Sequence, residues 1–368
     1  MNDRIPVSSR EHSDHKLKIP STAEERQKAL KHRSSVSQLH ELYNAVSRFP
    51  HARKLVEDSG FSSFFKVHYP KPQDNCLTTG IFERWWHTTN TFHFSSFEIG
   101  FTPLEFTQIT GILIGRGNRI SLVDISMDQL LEIAPQTIDC LVPYLNAKAT
   151  TRRRKGGEIM VIVGIEEVRE EILVDKRVEV VDRYKGIRKS LIKVFLDHRL
   201  GQENNVLEKE QIARSFLIWC FGNVLFPNKN NVVEIKWLNI IRDLNVLRHY
   251  DWRSSLYGSI LWGLNTGVTC NKPDLQFFSY PLMPWFWAYF RCLFPYTKAE
   301  NENMDPWPAG RLYDGDQRDL RKGAQSDTGT HSVTLVRYHI DNFPLDSVVW
   351  SPWEDSEWKT NLEVVDAR

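Results

Sequence analysis

Residues 91–117 read "TFHFSSFEIGFTPLEFTQITGILIGRG", and the order of their signals sets the fold around them. Phe92 and Phe94 flank His93, and after Ser95-Ser96 the same alternation returns in Phe97, Ile99 and Phe101. A period of two with one apolar face predicts a short antiparallel hairpin. The period then changes. Thr102 is a good N-cap, Pro103 suits the first helical position, and Glu105 stands where a capping box needs an acid. Phe106, Ile109, Ile112 and Leu113 supply the apolar side of a helix. Gly111, Gly115 and Gly117 then close it and turn the chain.

That order separates two readings of the corner. A phosphate loop places its glycines before the helix, so that free N–H groups face the anion. Here the glycines come after it, where the helix dipole is negative. "GRGNRI" also lacks the third glycine of a dinucleotide fingerprint and the Gly-Lys-Ser/Thr of a P-loop. The stretch therefore predicts a structural corner.

Outward from it, helical spacing dominates. Upstream, Val36, Leu39, Leu42, Tyr43 and Val46 recur at helical intervals, and "CLTTGIFERWWHTT" predicts a second helix with Leu77, Ile81 and Trp85 on one stripe. Downstream, "EKEQIARSFLIWCFGNVLF" is the clearest helix, with Ile212, Ala213, Phe216, Trp219, Cys220 and Val224 on its apolar side. Pro227 and "NKNN" stop it. "SMDQLLEIAPQTIDCLVPYL", "YKGIRKSLIKVFLDHRL", "WLNIIRDLNVLRHYDW" and "SSLYGSILWGLN" also read as helices, and "EIMVIVG" as a short strand. Residues 147–157 read as a basic loop and 322–332 as a flexible one. "FFSYPLMPWFWAYFRCLFPY", residues 277–296, holds three prolines and Arg291, so it predicts a buried aromatic helix entered through Pro281 and Pro284 and no membrane span. Ten of the twelve tryptophans lie after residue 215, which places most of the large aromatic core in the C-terminal half.

The expected fold class is mainly α: a single helical domain with a small antiparallel β-hairpin and a disordered N-terminal tail. Residues 1–35 carry eight basic and five acidic side chains and little large apolar surface, too little to offset ordering entropy. The expected division is a tail over 1–35, the helical domain over 36–355 with an insertion at 147–180, and a second tail over 356–368.

Lys+Arg 47 against Asp+Glu 46 gives a net charge of +1, so no global field draws the chain to nucleic acid or an anionic membrane. The five cysteines are widely spaced, without CxxC or zinc spacing, and read as reduced thiols. GxSxG, HExxH and EF-hand signatures are missing. Glu166-Glu167 and Glu170-Glu171 lie in a charge-alternating stretch that reads as a solvated face. His87 and His93 flank a turn and are open to two readings, a metal pair or ordinary hydrogen-bonded histidines. "TRRRK" supplies the one candidate contact for phosphates: Arg152, Arg153, Arg154 and Lys155, which read either as nucleic-acid ligands or as a solvated run.

Four blocks in order resemble the plant mobile domain family, also labelled aminotransferase-like and found in the MAIN-like proteins. They are "FERWWHTTNTFHF", "FEIGFTPLEFTQITGI", the long "FLIWCFGNVLFPNKNNVVEIKWLNIIRDLNVLRHYDWRSSLYGSIL" and "VRYHIDNFPLDSVVWSPWED". Gln108 and Thr110 depart from the family's usual apolar positions. The resemblance implies a nuclear plant protein, linked to transposon silencing, genome integrity and meristem maintenance or carried by a transposable element, acting beside a phosphatase-like partner. It carries no catalytic residues. Pyridoxal-phosphate chemistry needs a Schiff-base Lys, an acid at the pyridine nitrogen and a phosphate cup, and it is usually built on alternating strands and helices. The chain shows none of that pattern, so no cofactor is expected. The leading expectation is a non-enzymatic nuclear protein-interaction module. The alternatives are a nucleic-acid binder using residues 151–155 and an enzyme of unrecognised class.

Overall fold

The structure, a computed structural model, describes residues 30–34, 36, 38–65, 67, 75–112, 118–120, 148–154, 157–163, 186–188, 206–228, 232–234, 236–270, 274–290, 307–310 and 333–353. The expected N-terminal tail up to residue 29, the helix expected over 126–145, the carboxylate pairs at 166–171, Lys155, the loop at 322–332 and the tail at 356–368 lie outside these residues.

The fold is mainly helical, with a three-stranded antiparallel sheet as its main β element. Its helices are α1 (Leu39–Val46), α2 (Pro50–Val56), α3 (Ser62–Phe65), α4 (Asn75–Phe82), α5 (Pro103–Thr110), α6 (Val206–Cys220), α7 (Lys236–Ile240), α8 (Trp252–Cys270), α9 (Leu282–Tyr289) and α10 (Val333–Asp341). At the centre stands α9, entered through Pro281, with all eight of its residues buried. It packs against α4 and α5. The long α8 packs on α5, α10 lies on α4, and α6 packs against α1 and α2. The apolar residues predicted for the α1 and α6 regions are buried, and in α6 burial runs all round the helix over 211–220, taking in Gln211, Arg214 and Ser215.

The strand residues are β1 (Lys31–His32), β2 (Trp85–Trp86), β3 (Thr91–His93), β4 (Glu98–Gly100), β5 (Lys148–Arg154), β6 (Gly157–Val163), β7 (Gly186–Arg188), β8 (Val232–Glu234) and β9 (Asp274–Leu275). The predicted hairpin is β3–β4, with Phe92 opposite Ile99 and both buried. A third strand joins it. Trp85-Trp86, expected at the end of a helix, pairs with Phe92 and Thr91 instead. Helix α4 stops at Phe82, and the Trp85 ring meets Phe92 edge-on at 4.8 Å, a cross-strand aromatic contact that a helical Trp85 could not make.

The chain is also held earlier than residue 36. β1 pairs in parallel with β9, the Leu30 N–H donates to Thr79 Oγ1 at 2.9 Å, and the Ser34 hydroxyl donates to the Val224 carbonyl at 2.9 Å.

Three further expectations change. Residues 148–154 form a strand paired with 157–163, where an open basic loop was expected. Gly186–Arg188, read as helical, pairs with the β-branched Val232–Val233. The single helix expected through 237–252 is broken. Asp243 leaves helical backbone angles, its carboxylate accepts from the Asn245 N–H at 3.0 Å, and a 3₁₀ segment, Leu244–His249, follows.

The corner is built as predicted as far as Gly111, and Leu113, Gly115 and Gly117 lie outside the described residues. Thr102 Oγ1 accepts from the Glu105 N–H at 3.2 Å, and Glu105 Oε2 accepts from the Thr102 N–H at 2.7 Å. Gly111 ends α5 in the left-handed region at φ 68°, and its N–H donates to the Thr107 carbonyl at 2.8 Å. A methyl there would lie 2.6 Å from Ser63 Cβ, so both conformation and packing require glycine. The unusual Thr110 is accommodated because its hydroxyl donates back to the Phe106 carbonyl at 2.7 Å and accepts from the Ile112 N–H at 3.2 Å.

Candidate interaction surface

Charged groups near the core are committed to holding helices together. Glu105 is buried beside the aromatic helix. Its Oε1 accepts from the Trp285 indole at 3.1 Å, the Tyr289 hydroxyl at 2.5 Å and the Trp353 indole at 3.3 Å, while Oε2 caps α5. One carboxylate thus joins α5, α9 and the C-terminal block. Burial, reinforced by the negative Glu105, pushes the Tyr289 hydroxyl far above its ordinary pKa, so it stays a donor. The rings present polar edges to the acid. A cage for a ligand cation would present π faces instead.

A second set lies where α4 meets α10. Arg337 Nε donates to Glu83 Oε2 at 2.6 Å, and its Nη2 contacts Oε1 of the same residue. Arg84 donates to Asp341 Oδ1 at 2.5 Å and to the carbonyls of Gly80 and Arg337. Glu83 and Arg84, adjacent residues of opposite charge in the turn after α4, therefore meet two residues a helical turn apart on α10. The approach needs Gly80, because a methyl there would lie 2.7 Å from Val336 Cγ1.

On the open face of the sheet, His93 stacks on Trp86 at 5.0 Å. Its Nε2 lies 2.9 Å from Glu98 Oε2, 3.1 Å from Thr91 Oγ1 and 3.2 Å from Thr89 Oγ1. An acid–base relay needs the carboxylate and the hydroxyl on opposite ring nitrogens. Here one nitrogen carries every described contact, so the cluster is a hydrogen-bonded surface and not a relay. Partial burial lowers the His93 pKa, and Glu98 only partly opposes that. The folded state thus favours the neutral ring. Its contribution to stability is full above the ordinary histidine pKa and is lost as pH falls through the depressed value. NMR titration of the His93 ring should give a pKa below that of a free histidine, and a value above it would contradict the geometry.

Among the described residues no group of three or more His, Cys, Asp or Glu could hold a metal ion. The Cys220 thiol is pushed well up by complete burial, which keeps it protonated. Among the described residues no helix is long and apolar enough to cross a membrane. Arg152, Arg153 and Arg154 are consecutive residues of β5, in register with Ile159, Glu158 and Gly157.

The C-terminal block, one of the four stretches that carry the resemblance, takes a course that its sequence does not predict. Residues 343–353 run across α9. Phe343 packs edge-on to Phe290 at 4.9 Å, the Val349 N–H donates to the Tyr289 carbonyl at 3.0 Å, and Trp353 reaches Glu105. The outer side of this strap and of α10 leaves large apolar groups in solvent: Tyr338 is 50% exposed, Leu345 46% and Trp350 53%. Trp350 does not hang free, since its ring meets Phe97 edge-on at 5.5 Å, and Phe97 in turn stacks on Phe94 and Phe290. The available sequence signal was that "VVWSPWED" carries its tryptophans among Pro, Ser and acids, outside any apolar period.

No curated protein and no solved structure matches the chain. A family model does, that of the plant mobile domain, over residues 60–366. That match takes in the capped corner, the α4–α10 ion pairs and the strap over α9, and with it the chain belongs to the plant mobile domain family.

Proposed function

We propose that this protein is a non-enzymatic, nuclear protein-interaction module, and that Trp350 and Leu345 on the strap over α9 centre the surface that takes its partner. One observation carries the reading: Trp350 is more than half exposed yet is fixed edge-on against a ring stacked on the core. A large aromatic that is solvated but already oriented loses little conformational entropy on binding, which is why tryptophan is enriched among binding hot spots. The interior acids and arginines support the reading too, because Glu83, Arg84, Glu105, Arg337 and Asp341 are consumed by structural contacts. The resemblance supplies the context: a phosphatase-like partner, and work in transposon silencing, genome integrity and meristem maintenance or within a transposable element.

The test is affinity purification of the tagged chain from plant nuclei beside a Trp350→Ala/Leu345→Ser variant. The wild-type chain should bring down one partner in near-stoichiometric amount. The variant should lose it by about tenfold or more while melting at the same temperature. Recovery of a lone monomer under mild conditions, or equal partner yield from the variant, would overturn the proposal. Salt-dependent nucleic-acid affinity that disappears when Arg152, Arg153 and Arg154 become alanine would move the function to the β5–β6 hairpin.

A further inference from the structure

Helix α8 carries three glycines, and only two of them have a use inside the chain. At Gly263 a methyl would collide with the Phe277 ring, and at Gly267 with the Phe82 ring. Both let the core close on the helix. At Gly258 a methyl would meet nothing within 4 Å among the described residues, and the position is exposed. Glycine inside a helix is among the least favourable residues, because its backbone loses the most freedom on folding. No described contact within the chain offsets that cost at Gly258.

One turn further along the same face stands Trp262, at 63% exposure the most solvated large apolar side chain among the described residues. The surface around the pair is uncharged. Ser254 to Cys270 holds no Asp, Glu, Lys, Arg or His, although 25% of the whole chain is charged. A solvated helix face ordinarily carries charge. Three hydroxyls of this face are also satisfied within the helix. Ser255 Oγ donates to the Asp251 carbonyl at 3.1 Å, Thr266 Oγ1 to the Trp262 carbonyl at 2.6 Å and Thr269 Oγ1 to the Asn265 carbonyl at 2.7 Å. Asn265 accepts from the Trp85 indole at 2.6 Å and donates to Asn90 Oδ1 at 3.2 Å. Covering the face with another apolar surface strands none of these donors.

We propose that this face binds a second copy of the chain through an antiparallel α8–α8 contact. Residues four apart lie on one face of a helix and about 6 Å apart along its axis. About a two-fold axis level with Ile260, Trp262 of each copy falls opposite Gly258 of the other, so two rings enter two notches. A ring and a notch equally displaced from a common centre make the face its own complement. Charge agrees with that occupant. A surface that meets itself must not set like charges together, and this one has none to set. A net charge of +1 leaves little repulsion between whole copies. A charged partner would find no counter-charge here.

The experiment is sedimentation equilibrium of the full chain from about 1 to 200 µM, beside Trp262→Ala, Gly258→Leu and Trp350→Ala/Leu345→Ser, each with its melting temperature. The wild type should form a dimer with a Kd in the micromolar range, since one helix face is small for an interface. Trp262→Ala and Gly258→Leu should each weaken it about tenfold or more. Gly258→Leu should melt no lower than the wild type, because leucine is the better helix former. An equimolar mixture of the two single variants should recover most of the lost affinity. In that pairing the one remaining tryptophan meets the one remaining glycine, and the introduced leucine meets the introduced alanine. The strap variant should dimerise like the wild type. A monomer throughout the range, unchanged association in both α8 variants, no recovery in the mixture, or loss of the dimer in the strap variant alone would overturn the proposal. A monomeric wild type that loses its nuclear partner on Trp262→Ala would give the face to a different protein, and that too would overturn it.

Discussion

Glu105→Ala should destabilise the protein by about 4 kcal/mol or more, because it strands several buried donors at once. The Trp285 indole, the Tyr289 hydroxyl and the Thr102 N–H all lose their acceptor, and the more exposed Trp353 indole loses its own. A buried donor without a partner costs about 1–3 kcal/mol, while the Thr102 hydroxyl keeps its bond to the residue 105 N–H and so still caps α5. Whole domains carry only about 5–15 kcal/mol, so the variant should unfold at markedly lower urea concentration. Glu105→Gln, which keeps one acceptor oxygen but sets an amide nitrogen against a donor, should fall between the two. Tryptophan fluorescence in a urea titration reads all three proteins. A midpoint for the alanine variant within error of the wild type would show that Glu105 does not join these elements.

Arg84→Ala is expected to cost about 3–5 kcal/mol, the usual effect of removing one member of a buried pair. The Arg84 side chain has no exposed surface, and its loss leaves Asp341 and the carbonyls of Gly80 and Arg337 without their donor. The pair itself has a different energetic standing. Bringing two charges out of water nearly cancels their attraction, so replacing both by apolar groups should recover most of the loss. The Arg84→Met/Asp341→Leu double variant is therefore expected to lie within about 1.5 kcal/mol of the wild type, while each single variant falls well below it. Strictly additive losses would mean that the two residues do not act as a pair. This α4–α10 contact ties the N-terminal part of the chain to its C-terminal block, so the single variants should also loosen the strap that presents Trp350.

The elements legible in sequence are those with local causes. Thr102, Pro103, Glu105 and Gly111 specify α5 without reference to anything distant, and the alternation around His93 specifies β3 and β4. The apolar spacing in α6 and the proline entry to α9 are equally local. The misread elements depend on partners elsewhere in the chain. Trp85 continues the stripe of Leu77 and Ile81, yet it becomes a strand residue because Phe92 offers a cross-strand ring. Gly186–Arg188 is a strand because Val232–Glu234 lies beside it. The break at Asp243 was visible in principle, since a carboxylate two residues before a free N–H competes with helix, but the surrounding leucines and isoleucines outweighed it in the reading.

For the sites, residue type misled in two ways. Tryptophan was read as core, which holds for Trp219, Trp252 and Trp285 and fails for Trp262 and Trp350. Glu105 was read as a capping acid, which is half of its role. Its other donors come from residues 180, 184 and 248 positions away, which no local pattern reports. Interior polar groups find partners across the whole chain, because each must be satisfied wherever the fold permits.

Hydrogen exchange at the corner tests most directly whether residues 91–112 are a structural junction. With no ligand added, the Thr102 and Glu105 amides and the Trp285 indole N–H should exchange as slowly as the core of α6, and addition of pyridoxal phosphate should leave those rates unchanged. Rapid exchange at these protons, slowed only when the phosphate compound is present, would contradict the account and make the corner a cofactor site.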